Sequence, residues 1–243
     1  MVSGSSTATL PLREVARLQL VKAGFWERID GSIDLGLGYT SATELLQFDG
    51  DAQVRFRRPR FEASAKADAV LTRQPDAEDT RRSSLTAGYA RFFPNRQRIF
   101  TQVAVEQNRE LGFEVRSSVV GGWATFLARN ARNELVAGAG LAVNREVPVE
   151  GERTTNAEAV IGFDYTNFAY DFPNTDIQLS TQAYFGLSQW GRVRLEVSGR
   201  LRREVFSDFY VGLKGYSSYD SNPATEGAER HDFGLSLSLG WKF

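Results

Sequence analysis

The chain has 243 residues, with 29 basic and 30 acidic side chains, a formal net charge of -1, one His and no Cys. This excludes a disulfide framework and a thiolate metal site, and the balanced charge leaves no nucleic-acid footprint. Mean hydropathy is -0.34, and no run approaches the roughly 20 apolar residues of a membrane helix, which argues against helical spans but not against a barrel whose alternate residues face inward.

Residues 1–24 stand apart from the rest. Met1-Val2-Ser3-Gly4-Ser5-Ser6 is polar and lacks the basic-then-apolar layout of a signal peptide. Residues 7–20 read as a strand followed by a short helix, with too little apolar surface to fold alone. We expect this segment to be the remnant of a periplasmic β-rich region; a disordered leader is the alternative.

From about residue 31 the chain alternates, and a period of two sorts side chains onto the two faces of a strand. The first segment, residues 32–40, sets Ile33, Leu35, Leu37 and Tyr39 against Asp34, Gly36, Gly38 and Thr40. The second sets Leu46, Phe48, Ala52, Val54 and Phe56 against Gln47, Asp49, Asp51, Gln53 and Arg55. The third sets Phe61, Ala63, Ala65, Ala67, Ala69 and Leu71 against Glu62, Ser64, Lys66 and Asp68. Eight further segments follow near 83–93, 98–108, 113–127, 133–146, 154–167, 176–187, 191–204 and 208–219. Among them, residues 193–201 place Val193, Leu195, Val197, Gly199 and Leu201 opposite Arg192, Arg194, Glu196, Ser198, Arg200 and Arg202.

The twelfth segment, 231–243, is the clearest. Phe233, Leu235, Leu237, Leu239, Trp241 and Phe243 form a wholly apolar face, and Gly234, Ser236, Ser238, Gly240 and Lys242 a small polar one. That is the pattern of a membrane-spanning strand with lipid on one side and a lumen on the other. Twelve strands, each long enough to cross a tilted path through a bilayer, predict an all-β fold: a 12-stranded antiparallel transmembrane β-barrel over residues 25–243. The connections alternate. Short turns near 57–60, 94–97, 129–132, 170–175 and 206–207 are assigned to the periplasm. Longer loops, such as 74–82 and 220–230, are assigned to the outside.

The stretch Gly24-Phe25-Trp26, Asp30-Gly31-Ser32 and the Gly-rich strand ending Tyr39-Thr40 resembles the opening of the barrel in the DUF481 family. Leu111-Gly112-Phe113-Glu114-Val115-Arg116 and the closing strand extend the resemblance over residues 24–243. It implies a Gram-negative outer-membrane location with a small β-rich region before the barrel, and it supplies no catalytic residues.

Strand parity gathers a lumen charge network from Asp34, Asp49, Asp51, Arg55, Glu62, Lys66, Asp68, Glu114, Arg116, Arg192, Arg194, Glu196, Arg200, Arg202 and Lys214, with signs nearly balanced. It is read first as a salt-bridged core that fills and stiffens the barrel. The alternative is an electrostatic filter for a small charged solute, in which the Arg192, Arg194, Arg200 and Arg202 row opposes an acidic wall. Trp26, Tyr39, Phe93, Trp123, Tyr165, Trp190, Trp241 and Phe243 are assigned to the membrane-interface girdles.

No enzymatic role is expected. The lone His231, followed by Asp232 and near Ser217 and Ser218, is the only candidate base for a serine nucleophile, and it leaves a lipid hydrolase as an outsider. No cofactor or metal is expected. The expected partners are the bilayer, lipopolysaccharide, the barrel assembly machinery through the strand ending in Phe243, and a periplasmic protein or domain. Two functions stay open: a structural envelope or anchoring barrel, and a narrow channel for small charged or polar solutes. A soluble β-sandwich or lipocalin-like binder is the alternative fold.

Overall fold

The computed structural model describes residues 28–40, 45–73, 80–130, 132–169, 173–225 and 228–243. The expectations for residues 1–24 and for Trp26 lie outside these residues.

Twelve strands run in chain order: β1 Ile29–Thr40, β2 Leu45–Arg57, β3 Phe61–Arg73, β4 Thr80–Phe93, β5 Gln97–Asn108, β6 Phe113–Arg129, β7 Asn133–Pro148, β8 Thr154–Ala169, β9 Thr175–Gly186, β10 Val193–Phe206, β11 Phe209–Asp220 and β12 His231–Lys242. Each pairs antiparallel with its sequence neighbours, and β1 closes on β12. The closed 12-strand antiparallel barrel is therefore the observed fold, and the β-sandwich alternative is set aside. Closure leaves no open sheet edge, which is what a strand structure needs in lipid.

The closing seam aligns Asp34 with Gly240 and Leu35 with Leu239. It reaches the last residue, because Phe243 and Gly31 exchange backbone hydrogen bonds at 2.9 and 3.1 Å. The Phe243 ring lies over Gly31, where an added Cβ would meet it at 2.3 Å.

The period-two sorting holds on β12. Leu235, Leu237 and Leu239 are 63–69% exposed, while Ser236 and Ser238 between them are buried. Leu35, Leu37, Leu85, Leu141, Phe163 and others continue this apolar exterior around the barrel. Such a belt has no place in water, since a contiguous apolar surface of this extent drives association. It fits lipid.

The two ends differ. Residues 58–60, 94–96, 130–132, 170–174 and 207–208 connect strands at one end, the turn end. Residues 41–44, 74–79, 109–112, 149–153, 187–192 and 221–230 connect them at the other, the loop end. In the β4–β5 turn, Asn95 (φ 67°) and Arg96 (φ 61°) take the left-handed pair of conformations that suits a tight hairpin.

Most of the aromatic girdle sits at the turn end. Phe93 stacks on Trp123 with centroids 5.6 Å apart, Trp241 lies 5.2 Å from Phe243, and Phe206 lies 5.0 Å from Phe209. Tyr165 is there too, donating to Asn133 Oδ1 at 2.7 Å. Trp190 is at the opposite end, almost wholly exposed in the β9–β10 loop. Tyr39 lies near the end of β1 with its backbone opposite Leu46.

Candidate functional site

The lumen is layered. At the loop end, strand parity turns Arg116, Glu146, Glu158 and Arg194 inward, and the β9–β10 loop adds Arg192. Glu146 accepts from Arg116 Nε at 2.7 Å and from Arg192 Nη1 and Nη2 at 3.0 Å each. Arg192 also donates to Asp220 through Nε at 3.0 Å and Nη2 at 2.5 Å. Arg194 grips Glu158 with two bonds of 2.9 and 2.7 Å, and Asn144 donates to the same carboxylate at 2.6 Å.

All six charged groups are buried. Three guanidiniums meet three carboxylates, so the lattice is neutral, as charges out of water must be. Burial disfavours the Arg192 charge, yet the bonds it donates to Asp220 and Glu146 win and hold its pKa above the ordinary value.

This lattice is lidded. Phe113 is fully buried and stacks on the loop side of Arg116, whose guanidinium is 3.9 Å from the ring centroid. Leu111 is buried beside it. Gly112 adopts φ 78°, and a Cβ there would strike Ala228 and Thr225 at 2.8 and 2.9 Å. Gly112 thus packs against Thr225 and Ala228 from the β11–β12 connection, tied by Thr225 Oγ1 donating to Gly112 O at 2.5 Å.

Next to the lattice, Asp232 accepts from Arg82 at 3.1 Å, Asn108 at 3.0 Å and Tyr216 at 3.3 Å.

A second network lies toward the middle, on the wall from β10 through β12 to β3. Asp51 pairs with Arg200, and with Lys66 and Lys214 at 3.7 Å each. Asp34 is 4.0 Å from Arg200. Lys66 also reaches Asp68 at 3.2 Å, and Ser236 donates to Asp49 at 3.1 Å. Arg202 pairs with Asp176 at 3.1 Å. At the turn-end rim, Glu62 holds Arg57 at 3.3 Å and Arg55 at 3.6 Å.

Sequence parity and structure part at Glu114. Counting back from Arg116 turns Glu114 inward, but a β-bulge between Phe113 and Val115 inserts a residue and reverses the faces. Phe113 points inward instead. Glu114 sits at the rim, about half exposed, 3.4 Å from Arg109, and is not part of the lumen network.

The Arg192–Arg202 row does not stand as one cationic wall either, because each member has its own carboxylate. Glu196 reaches Arg194 at 3.1 Å and keeps 41% of its side chain exposed.

Several residues are important here that sequence reasoning did not single out. Glu146, Asn144 and Asn156 lie on the even, inward face of β7 and β8, so parity alone could have found them. Asp220 closes β11 rather than belonging to the loop. The larger omission is apolar. Val120, Ala142, Val160 and Tyr184 form one buried lumen cluster, and Ala124, Phe126 and Val136 another, with Phe100 packed against both. An added Cβ at Gly122 would meet Ala139 O at 2.4 Å and the Phe100 ring at 2.9 Å. Glycine there lets β6 and β7 approach closely and seats the ring. Adjacent apolar pairs such as Val119-Val120 and Val160-Ile161 were the available signal.

Ser217 Oγ lies 2.9 Å from His231 Nε2, as a serine–base pair requires. Asp232, however, points into the lumen and is committed to Arg82, Asn108 and Tyr216, on the opposite face of β12. Ser218 is likewise buried on the lumen side. His231 stacks instead on Phe233 at 5.5 Å. The four residues therefore do not assemble a triad. Among the described residues no cluster of three or more His, Asp or Glu is arranged to hold a metal.

Residues 33–243 match the family model described as "Protein of unknown function, DUF481". No curated protein matches the sequence. Among solved structures, the chain is similar to the NanC porin, with 10% identity, 87% of this chain and 98% of that chain covered, and a TM-score of 0.51. It also aligns with a bacterial polysaccharide outer membrane secretin (8% identity, 88% and 97% covered, TM-score 0.46). A third similarity is to the translocator domain of the autotransporter NalP from Neisseria meningitidis (11% identity, 88% and 86% covered, TM-score 0.40). At 10% identity the likeness to the NanC porin speaks for the barrel fold alone.

Proposed function

The chain belongs to the DUF481 family, and from the site itself we propose that it is an outer-membrane barrel shut at its loop end, with a structural role in the envelope and no enzymatic activity. One observation carries this reading: the neutral lattice of Arg116, Glu146, Arg192, Asp220, Arg194 and Glu158 packs the loop end of the lumen and is buried beneath Phe113 and Leu111. A hydrated ion passing through would have to separate buried pairs, each strongly held.

The apolar belt supports residence in a bilayer. The strand ending in Phe243 fits export and insertion by the barrel assembly machinery, with the turn end in the periplasm and the loop end against lipopolysaccharide. A periplasmic partner or domain would then meet the turn-end rim.

A second reading, a narrow channel for small charged or polar solutes, draws on Lys66 and Glu196, which keep 42% and 41% of their side chains exposed below the lattice.

Single-channel recording in planar bilayers separates the two. The closed barrel gives no steady current, and the double variant Arg194→Ala/Glu158→Ala, which removes a complete pair, raises conductance. Steady, ion-selective current through the unmodified protein would overturn the closed reading.

A further inference from the structure

Below the lattice the lumen is not full. A cavity of about 190 Å3 lies in the turn-end half, against β3 through β9. It is smaller than the roughly 300–1,000 Å3 of sites for drug-sized ligands, and suits something the size of one amino acid.

Its two sides differ in chemistry. Phe100, Val120, Val136 and Val160 supply an apolar wall. Small residues, Ser64, Gly88, Ala124 and Gly162, create the space. Gln102 and Gln182 add amide edges, and Glu62, Arg98 and Asp164 form a charged rim.

The rim pair is loosely made. Arg98 Nη2 is 3.4 Å from Asp164 Oδ2, at the long limit of a hydrogen bond. Arg98 Nε is buried and has no hydrogen-bond partner, so a donor faces unmet demand. Asp164 is 51% exposed, with its other oxygen taken by Ser180 at 2.8 Å. Glu62 is already neutralised by Arg55 and Arg57. The cavity thus offers one guanidinium and one carboxylate side by side, above an apolar wall.

We propose that this cavity binds a small zwitterion with an apolar side chain, of the class of a single apolar amino acid. Its carboxylate meets Arg98, its ammonium meets Asp164, and its side chain lies against Phe100, Val120, Val136 and Val160. A ligand carrying both charges exchanges the loose Arg98–Asp164 pair for two complementary ones and leaves the site neutral. Entry from the turn end rests on the closed-barrel reading; binding itself does not.

The test is isothermal titration calorimetry on the full chain in detergent micelles, with L-leucine and L-phenylalanine as probes. Glycine lacks the apolar side chain, 4-methylpentanoate lacks the ammonium and leucine amide lacks the carboxylate. We expect saturable binding of at least one of the two amino acids, with each comparator at least about tenfold weaker: for 4-methylpentanoate and leucine amide the equivalent of one lost charge-assisted bond, for glycine the lost burial of the apolar side chain.

Gly162→Val fills the cavity, and its Cβ would meet nothing closer than 3.5 Å, so the barrel folds and binding is lost. Arg98→Gln, at the partly exposed rim, removes the preference for leucine over leucine amide. The proposal is overturned if neither amino acid binds, if binding survives Gly162→Val, or if leucine amide binds the unmodified protein as tightly as leucine does. Conductance is the separate arm: a conducting barrel that binds leucine defeats only the closed reading, and a silent barrel that does not bind defeats only this one.

Discussion

Glu146→Gln is the sharpest test of the lattice. The substitution keeps the shape of the side chain and removes its charge. In the native barrel Glu146 accepts three bonds from Arg116 and Arg192, at 2.7, 3.0 and 3.0 Å, and all three groups are buried. Afterwards two guanidiniums share one buried carboxylate, Asp220, and Glu106 at 3.8 Å from Arg116 is only partly buried. Breaking a buried ion pair by neutralising one partner costs about 3–5 kcal/mol. For a chain of this length each kcal/mol lowers the melting temperature by about 2–4 °C, so the expected fall is about 6–20 °C. Thermal unfolding followed by circular dichroism in detergent micelles measures it. Glu114→Gln is the matched control, because its single 3.4 Å pair with Arg109 is exposed at the rim and is worth about 0–1 kcal/mol. A Glu146→Gln shift under about 3 °C, roughly 1 kcal/mol, refutes the lattice as a stabilising plug.

Two further outcomes follow from the two faces of the strands. Leu237→Arg, on the lipid face of β12, lowers stability by about 2–4 kcal/mol in chemical denaturation from phospholipid vesicles. The same change at Ser198, which is exposed on the lumen side of β10, costs under about 1 kcal/mol, and equal effects would contradict the assigned faces. Asp232 turns away from the Ser217–His231 pair, so phospholipid hydrolysis by the purified protein is expected to stay at the detergent-only background and His231→Ala to leave it there; release of fatty acid that His231→Ala abolishes would make the pair catalytic.

The strands were legible because a barrel writes its two solvents directly into alternate positions. Along β12 every odd residue from Phe233 to Phe243 is apolar, and the structure exposes each of them. The charged lumen was legible for the same reason, wherever parity ran unbroken, as at Asp34, Asp51, Arg194 and Arg200.

Parity fails where a bulge intervenes. A single inserted residue at 113–115 sends Glu114 out and Phe113 in, and nothing local in the sequence marks it. The apolar part of the lumen was hidden by a different cause. On β5 to β9 both faces carry apolar residues, so alternation in polarity weakens just where the inner wall is a packed core. Partner choice across the lumen was beyond sequence altogether, since it depends on barrel diameter and stagger.

That partner choice explains how the barrel keeps its shape. Ladder hydrogen bonds alone do not set register uniquely, because a slip of two residues preserves every face assignment. The seam is where this matters most. Among the described residues β1 pairs with β12 only from Gly31–Phe243 to Gly36–Ser238, whereas it pairs with β2 from Ile29–Phe56 to Thr40–Leu45. Ties that skip strands compensate. Ser236 on β12 donates to Asp49 on β2, Arg200 on β10 reaches Asp34 and Asp51 on β1 and β2, and Arg202 donates to Ser32 on β1 at 3.4 Å. At the loop end Arg82 on β4 and Asn108 on β5 both hold Asp232 on β12. A slip of two residues along the seam would carry Asp232 and Ser236 about 7 Å from these partners and strand buried charge. The lumen network therefore fixes the stagger of the closing strand, a role that requires side chains reaching across the barrel and is independent of any solute.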